Sequence, residues 1–311
     1  MVTKDGNIYV KNLQVHFMLN NDMIKIIDGI DIVFEAGVFT AIIGESGCGK
    51  SVLGQAILGI LPQYVHKDGE IVYKNVDILK NAKAVKGFYG REFSIVPQNP
   101  ENSLNPVRKI CKQMHDILLA GEIEDKNDVY KIKCLKFFGI DEPERVLESY
   151  PHELSGGMQQ RVLCAMSISC KPKWILADEP TKGMDERLCG VVYDNLLSIK
   201  QNSPSSMIII THDLKLAAQV CDKIAVMYAG QILEINSDLL KKPKHPYSQL
   251  FLKSLPENGL NTMQGISPVL GEKIQGCKFA PRCPYCMPIC KNNMPDYYIE
   301  ENVRVRCFLY A

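Results

Sequence analysis

The sequence predicts an α/β fold with a mostly parallel sheet covered on both faces. Two observations carry that expectation. Apolar runs without alternation end at glycine, glutamine or acidic residues in VFTAIIG (38–44), FSIVPQ (93–98), WILADE (174–179) and SMIIITHD (206–213). Segments with helical spacing lie between them, such as KSVLGQAILGIL (50–61) and RLCGVVYDNLLSIK (187–200). A strand covered on both faces needs apolar side chains at successive positions, and parallel neighbours need a long crossover.

The elements follow in order. The first run leads into GESGCGKS (44–51), a glycine-rich loop opening a helix. The stretch from about 104 to 170 holds the helical patterns VRKICKQMHDILLAG and VYKIKCLKFFGI and no convincing strand, which predicts a helical subdomain inserted between sheet strands. From about 236 the texture changes. KKPKHPYSQLFLKSLPENG contains one amphipathic helix around 246–254, and Pro, Gly and Asn then thin the pattern before GCKFAPRCPYCMPIC (276–290). With Cys307, that segment gathers five of the twelve cysteines at the C-terminal end. No internal repeat or low-complexity segment is present.

The 311 residues suffice for two domains, or for one large domain with an appendage. Lys plus Arg (36) nearly balances Asp plus Glu (35), so no global basic field favours nucleic acid and any anion binding must be local. The N-terminal MVTKDGNIYVKNLQVHF lacks the apolar core of a signal peptide, and no apolar stretch is long enough to span a bilayer. These features predict a cytoplasmic, non-spanning protein. In a reducing compartment clustered thiols are metal ligands more often than disulfides, whereas scattered ones such as Cys111, Cys134 and Cys164 are small buried apolar residues.

GESGCGKS fits the phosphate-loop pattern, G-x-x-x-x-G-K followed by Ser or Thr, and stands where that loop must stand, after an apolar strand and before a helix. Gly44, Gly47 and Gly49 permit backbone conformations closed to larger residues, so successive N–H groups can converge on phosphate oxygens at the positive end of the helix. Lys50 is expected to reach the β- and γ-phosphates and Ser51 to ligate Mg²⁺. Glu45, Ser46, Cys48 and Val52 complete the expected nucleotide-binding stretch. Further on, WILADE delivers Asp178 to the carboxyl end of a strand, where a carboxylate can hold the Mg²⁺ shell. Glu179, next in sequence, can orient or deprotonate the water that attacks the γ-phosphate.

LSGGMQQR (154–161) closely resembles the signature sequence of ABC-type ATPases. The resemblance implies a phosphate-loop ABC ATPase with a mostly parallel sheet core, an antiparallel β subdomain, an inserted helical subdomain and a small C-terminal cysteine-rich extension. It implies that Ser155, Gly156, Gly157 and Gln159 face the nucleotide held by a second subunit, so that two ATPase domains pair head to tail. It assigns Gln98 to Mg²⁺ and the attacking water, His212 to the γ-phosphate, and Asp185 to the loop crossing the dimer interface. ATP is the implied nucleotide. The family's adenine-stacking aromatic has no counterpart in the window NNDMIKI; Phe17 and His16 lie just upstream.

QNPENSLNPVRKI (98–110), YPHELSGGMQQR and KHPYSQLFLKSLP (244–256) narrow the resemblance to the ATPases of oligopeptide and dipeptide importers, whose relatives also drive nickel uptake. This implies an ATPase domain over 1–240, with its helical subdomain at about 99–170, and a family-type extension over 241–311. It further implies a place at the cytoplasmic face of the membrane, contact with membrane-spanning permease subunits through Gln98 and residues 99–150, and a paralogous ATPase or a second copy as dimer partner. An extracellular substrate-binding protein is implied indirectly. Within the extension the resemblance marks Cys277, Cys283, Cys290 and Cys307 as ligands of an iron–sulfur cluster, with Cys286 an additional thiol. Four thiolates also suit Zn²⁺, and packed free cysteines are the third alternative. Competing functions are a nickel or metal-chelate importer ATPase, a soluble non-transport ABC ATPase, and a redox or metal sensor. Balanced charge, and the lack of a second ATPase domain or long coiled coil, weigh against the non-transport reading.

Overall fold

The computed structural model describes residues 6–19, 22–98, 100–254, 263–268, 272, 274–300 and 302–311. Asn99, Leu255 and Pro256, within the stretches that carry the subfamily resemblance, lie outside the described residues, as do Asn20 and Asn21 of the window before the phosphate loop. The first half of the chain forms β1 (Ile8–Leu19), β2 (Asp22–Phe34), β3 (Phe39–Ile43), α1 (Lys50–Leu58), β4 (His66–Tyr73), β5 (Val76–Asp77), α2 (Ala82–Lys86) and β6 (Phe93–Val96). Five helices follow: α3 (Pro100–Ser103), α4 (Ile110–Ala120), α5 (Asp128–Phe137), α6 (Pro143–Glu148) and α7 (Gly156–Ser169). Then come β7 (Trp174–Asp178), α8 (Glu186–Asn202), β8 (Ser206–Ile210), α9 (Leu214–Val220), β9 (Lys223–Tyr228) and β10 (Gln231–Asn236). The C-terminal part adds α10 (Pro246–Lys253), α11 (Pro288–Asn292), β11 (Tyr298–Glu300) and β12 (Val303–Val305). Among the described residues no helix is long and apolar enough to cross a membrane.

Two compact units result. The first comprises Met1–Glu35, Thr40–Asn81 and Cys221–Ala311. It holds an antiparallel sheet of order β2-β1-β4-β5 and a second group of strands ordered β11-β12-β10-β9-β3, in which only the β9–β3 pair is parallel. Alternation along β1 buries Ile8, Val10, Leu13 and Val15, and it slips by one residue at Asn12. There the left-handed backbone (φ +42°) inserts a bulge that keeps both flanking pairs on the core side. β3 is buried at all five positions, which explains its unbroken apolar run.

The second unit comprises Ala36–Phe39 and Ala82–Val220. Its strands β6, β7 and β8 are parallel, with β7 in the middle, and the crossovers carry α3 to α7 and then α8. Residues 104–170 hold helices joined by turns and no strand, as their spacing predicts.

Several boundaries differ from the sequence expectation for identifiable reasons. α1 stops at Leu58 rather than running to 61, because Gly59 turns left-handed (φ +68°) and the next N–H groups close back on Ala56 and Gln55. β6 ends at Val96, ahead of Pro97, which has no N–H for a ladder. The β9–β10 hairpin was not singled out by sequence. Its two-residue turn is Ala229-Gly230, both at positive φ, without the Asn or Asp that usually announces such a turn.

Candidate functional site

In the first unit, buried β3 drives the chain into the glycine-rich loop. Gly44 has φ +153°, and a Cβ there would lie 2.1 Å from the Met227 carbonyl oxygen on β9, so no side chain fits. The loop turns through Gly47 (φ +81°) and Gly49 (φ +104°) and delivers Lys50 to the first position of α1. The ammonium of Lys50 donates to the carbonyls of Gly44 (2.9 Å) and Glu45 (3.0 Å), so its charge is held over the loop. Lys50 and Cys48 are buried; burial pushes the Cys48 thiol up despite the neighbouring Lys50 charge. Ser51 and Val52 follow in the first turn, half-buried. Free N–H groups at a helix start, three glycines and one cation form a built anion cradle.

A cavity of about 460 Å³ opens beside this loop, lined by Glu45 to Cys48, by His16 and by Tyr228. Of the two aromatic residues upstream of the stacking window, His16 is the one that lines it. Burial and the nearby Lys25 charge lower its pKa, which favours the neutral imidazole.

In the second unit, β7 ends at Asp178 and the chain turns at Glu179, a non-glycine residue with φ +49°. The Glu179 N–H donates to the Ile210 carbonyl at 2.8 Å, which keeps its backbone at the ends of β7 and β8. Its carboxylate lies 2.7 Å from His212 Nδ1 and accepts the His212 N–H at 3.4 Å. Glu179 is buried, whereas the His212 side chain is 66% exposed. A buried carboxylate tied to an exposed imidazole can orient a water and hold its proton. Asp213 fixes the turn behind them by accepting from Thr181, the Tyr193 hydroxyl and the Leu216 N–H. The sequence contained Asp213 in the THD triplet but offered no reason to single it out, because its partners stand 20 and 32 residues away.

Ser155 caps α7, accepting from the Met158 N–H at 3.3 Å, and Gly156 leads its exposed first turn with no atom near the place of a Cβ. Gly157 follows, packed near Leu188. Gln159 is buried, and its amide donates to the carbonyls of Pro151 (2.9 Å) and Leu154 (3.2 Å). Asp185 caps α8 by accepting from the Leu188 N–H at 2.8 Å. Gln98 is exposed, two residues beyond β6.

In the C-terminal extension, Cys277, Cys283, Cys290 and Cys307 line one small cavity together with His245 and Phe279, while Cys286 points instead toward the Met287 carbonyl. Burial, with the neighbouring thiols, pushes Cys277 up to about 11. Burial likewise raises Cys283 and Cys307.

Residues 27–182 match the family model described as ABC transporter, and residues 234–290 match the oligopeptide/dipeptide transporter C-terminal region. The chain is 37% identical to the dipeptide transport ATP-binding protein DppD of Bacillus subtilis, covering 96% of this chain and 93% of that one. It is 35% identical to the oligopeptide transport ATP-binding protein AppD of the same organism, covering 97% and 96%. Among solved structures, a dimeric post-hydrolysis form of the ATP-binding cassette MJ0796 bound to ADP and Pi superposes with a TM-score of 0.67 at 22% identity, covering 74% of this chain and 98% of that one. That likeness concerns the fold. The glycine loop, the signature helix and the matched C-terminal region place this chain in the ABC transporter ATP-binding family, in its oligopeptide/dipeptide branch.

Proposed function

We propose that this chain is the ATP-hydrolysing subunit of an importer for dipeptides or oligopeptides and works against separate membrane-spanning subunits at the cytoplasmic face of the membrane. The observation that carries the reading is the end-to-end likeness to peptide-transport ATP-binding proteins, C-terminal region included. In this reading residues 1–240 form the ATPase domain and 241–311 the extension. Residues 44–52 bind the triphosphate, with Lys50 neutralising charge on its β- and γ-oxygens. Ser51, Gln98 and Asp178 hold Mg²⁺. Glu179 polarises the attacking water, and His212 steadies the γ-phosphate. Ser155, Gly156, Gly157 and Asp185 act across a head-to-tail dimer with a paralogue or a second copy, whereas Gln159, expected at the same interface, is buried and holds the loop before α7 by donating to Pro151 and Leu154. The exposure of Gly156 supports that arrangement, because the positive end of α7 faces outward, where an anion of a partner can approach it. The Glu179–His212 pair supports the hydrolytic assignment. Replacing Glu179 by Gln in the reconstituted complex is expected to preserve ATP binding and nearly abolish hydrolysis; wild-type turnover would refute the assignment.

The same proposal places an iron–sulfur cluster on Cys277, Cys283, Cys290 and Cys307. The four thiols line one cavity, which supports a shared centre with thiolate ligands, and such a set suits an iron–sulfur cluster or zinc. Iron and sulfide analysis of anaerobically purified protein, read with its visible spectrum, tests this; stoichiometric zinc without iron would overturn it.

A further inference from the structure

The PRC triplet of the extension contains a residue that neither ATP chemistry nor thiol ligation accounts for. Arg282 stands next to Cys283, yet its guanidinium reaches the second residue of the phosphate loop. Arg282 Nη1 lies 3.0 and 3.1 Å from the two carboxylate oxygens of Glu45. It also donates to Ser267 Oγ at 2.9 Å, and the Ser267 hydroxyl in turn donates to Glu45. The Arg282 side chain is 6% exposed and that of Glu45 25%, so this is an ion pair largely withdrawn from water rather than a loose surface contact. The guanidinium also sits 5.8 Å from the Tyr228 ring centre.

Glu45 is gripped at every polar group it has. Its N–H donates to the Tyr247 hydroxyl at 3.1 Å, its carboxylate is held by Arg282 and Ser267, and its carbonyl accepts the Lys50 ammonium at 3.0 Å. The first two grips come from residues beyond 240. Phe279 anchors them by packing its ring edge against Tyr228 and Tyr247, at 5.4 Å from each centroid. Rotation of Glu45 would move the carbonyl that holds Lys50 and the N–H groups that follow it in the cradle. The extension therefore fixes the peptide on which the phosphate-binding lysine rests.

We propose that Arg282 is a positioning residue for the phosphate loop, so that ATP affinity depends on the C-terminal extension through the Arg282–Glu45 contact. The proposal rests on the reading of residues 44–52 as the ATP site. It assigns the extension a task at the nucleotide, distinct from whatever its cysteines hold.

The test is the equilibrium Kd for ATP without Mg²⁺, measured by calorimetry on the full chain. Arg282→Ala is expected to weaken binding roughly tenfold, the scale of one hydrogen bond to a charged group. Arg282→Lys should recover part of the loss. Glu45→Ala should weaken binding as well, and the double variant should be no worse than the poorer single one, because both changes break one contact. A Kd within about twofold of wild type for Arg282→Ala, or losses that multiply in the double variant, would overturn the proposal. A lower melting temperature with unchanged Kd would also overturn it, since that is the mark of a purely structural arginine. Should Arg282→Ala fail to fold, Arg282→Gln decides: an unchanged Kd for that folded variant refutes the positioning role, because a neutral amide cannot supply the charged contact that the guanidinium's Nη1 makes to Glu45. Lys50→Ala is the control. Full ATP binding by that variant would sink the site assignment itself, whereas its failure to bind beside an unaffected Arg282→Ala sinks only the inference.

Discussion

Glu179 pairs a left-handed backbone with a buried carboxylate, a combination maintained only where the surroundings over-determine it. The Ile210 carbonyl and the His212 ring supply that constraint. Glu179→Gln keeps the shape and removes the basicity, so kcat should fall by about 10² or more while Kd for ATP changes little; steady-state hydrolysis beside equilibrium binding checks both. Asp28 gives a second prediction, in pH. Burial disfavours its charge, but hydrogen bonds from Lys278 and Lys25 outweigh burial and lower its pKa to about 2. Burial lowers Lys278 too, so the pair stabilises charge on Asp28 more than on its partner. A carboxyl depressed in the folded state adds stability that is complete above its ordinary value of 3.8 and disappears as pH falls toward 2. The contribution near neutral pH is about 2 kcal/mol. Denaturation of wild type and Asp28→Asn should accordingly differ at pH 7 and converge near pH 2.

Strands β3, β7 and β8 were legible because parallel strands buried on both faces leave an unmistakable apolar run. Helices α1, α7 and α8 were legible because each opens at a glycine loop or an acceptor cap. The phosphate loop and signature helix were legible for the same reason: their chemistry is written in contiguous residues. β1, with its bulge at Asn12, and the Ala229-Gly230 hairpin were not, since irregular alternation and an atypical turn hide the period. The Glu45–Arg282 pair was invisible as well, because 237 positions separate its members and no local period links them. Phe279 joins these distant parts. It is fully buried in contact with Tyr228 and Tyr247 from two other elements. Phe279→Ala should cost about 3–5 kcal/mol in urea unfolding. Limited proteolysis should then cut within the C-terminal extension before the phosphate-loop region is attacked.

At the level of the assembled molecule, the expected engine is a pair of chains. Gly156 offers a clean probe, because a Cβ there meets nothing within 4 Å and an acidic residue suits the first turn of a helix. Gly156→Asp should leave folding and ATP binding intact, yet place a negative charge where, in the proposed dimer, a partner's triphosphate approaches. In the Glu179→Gln background, ATP should produce a dimer that light scattering detects, and adding Gly156→Asp should abolish it. The wiring of the phosphate loop also bears on biosynthesis. Glu45 leaves the ribosome 237 residues ahead of Arg282. At about 5–20 residues per second, translation needs roughly 12 to 50 s to supply the missing guanidinium. A nascent chain therefore carries its ATP motif long before that motif is finished, and polypeptides truncated before the PRC triplet would emerge without a completed grip on fuel.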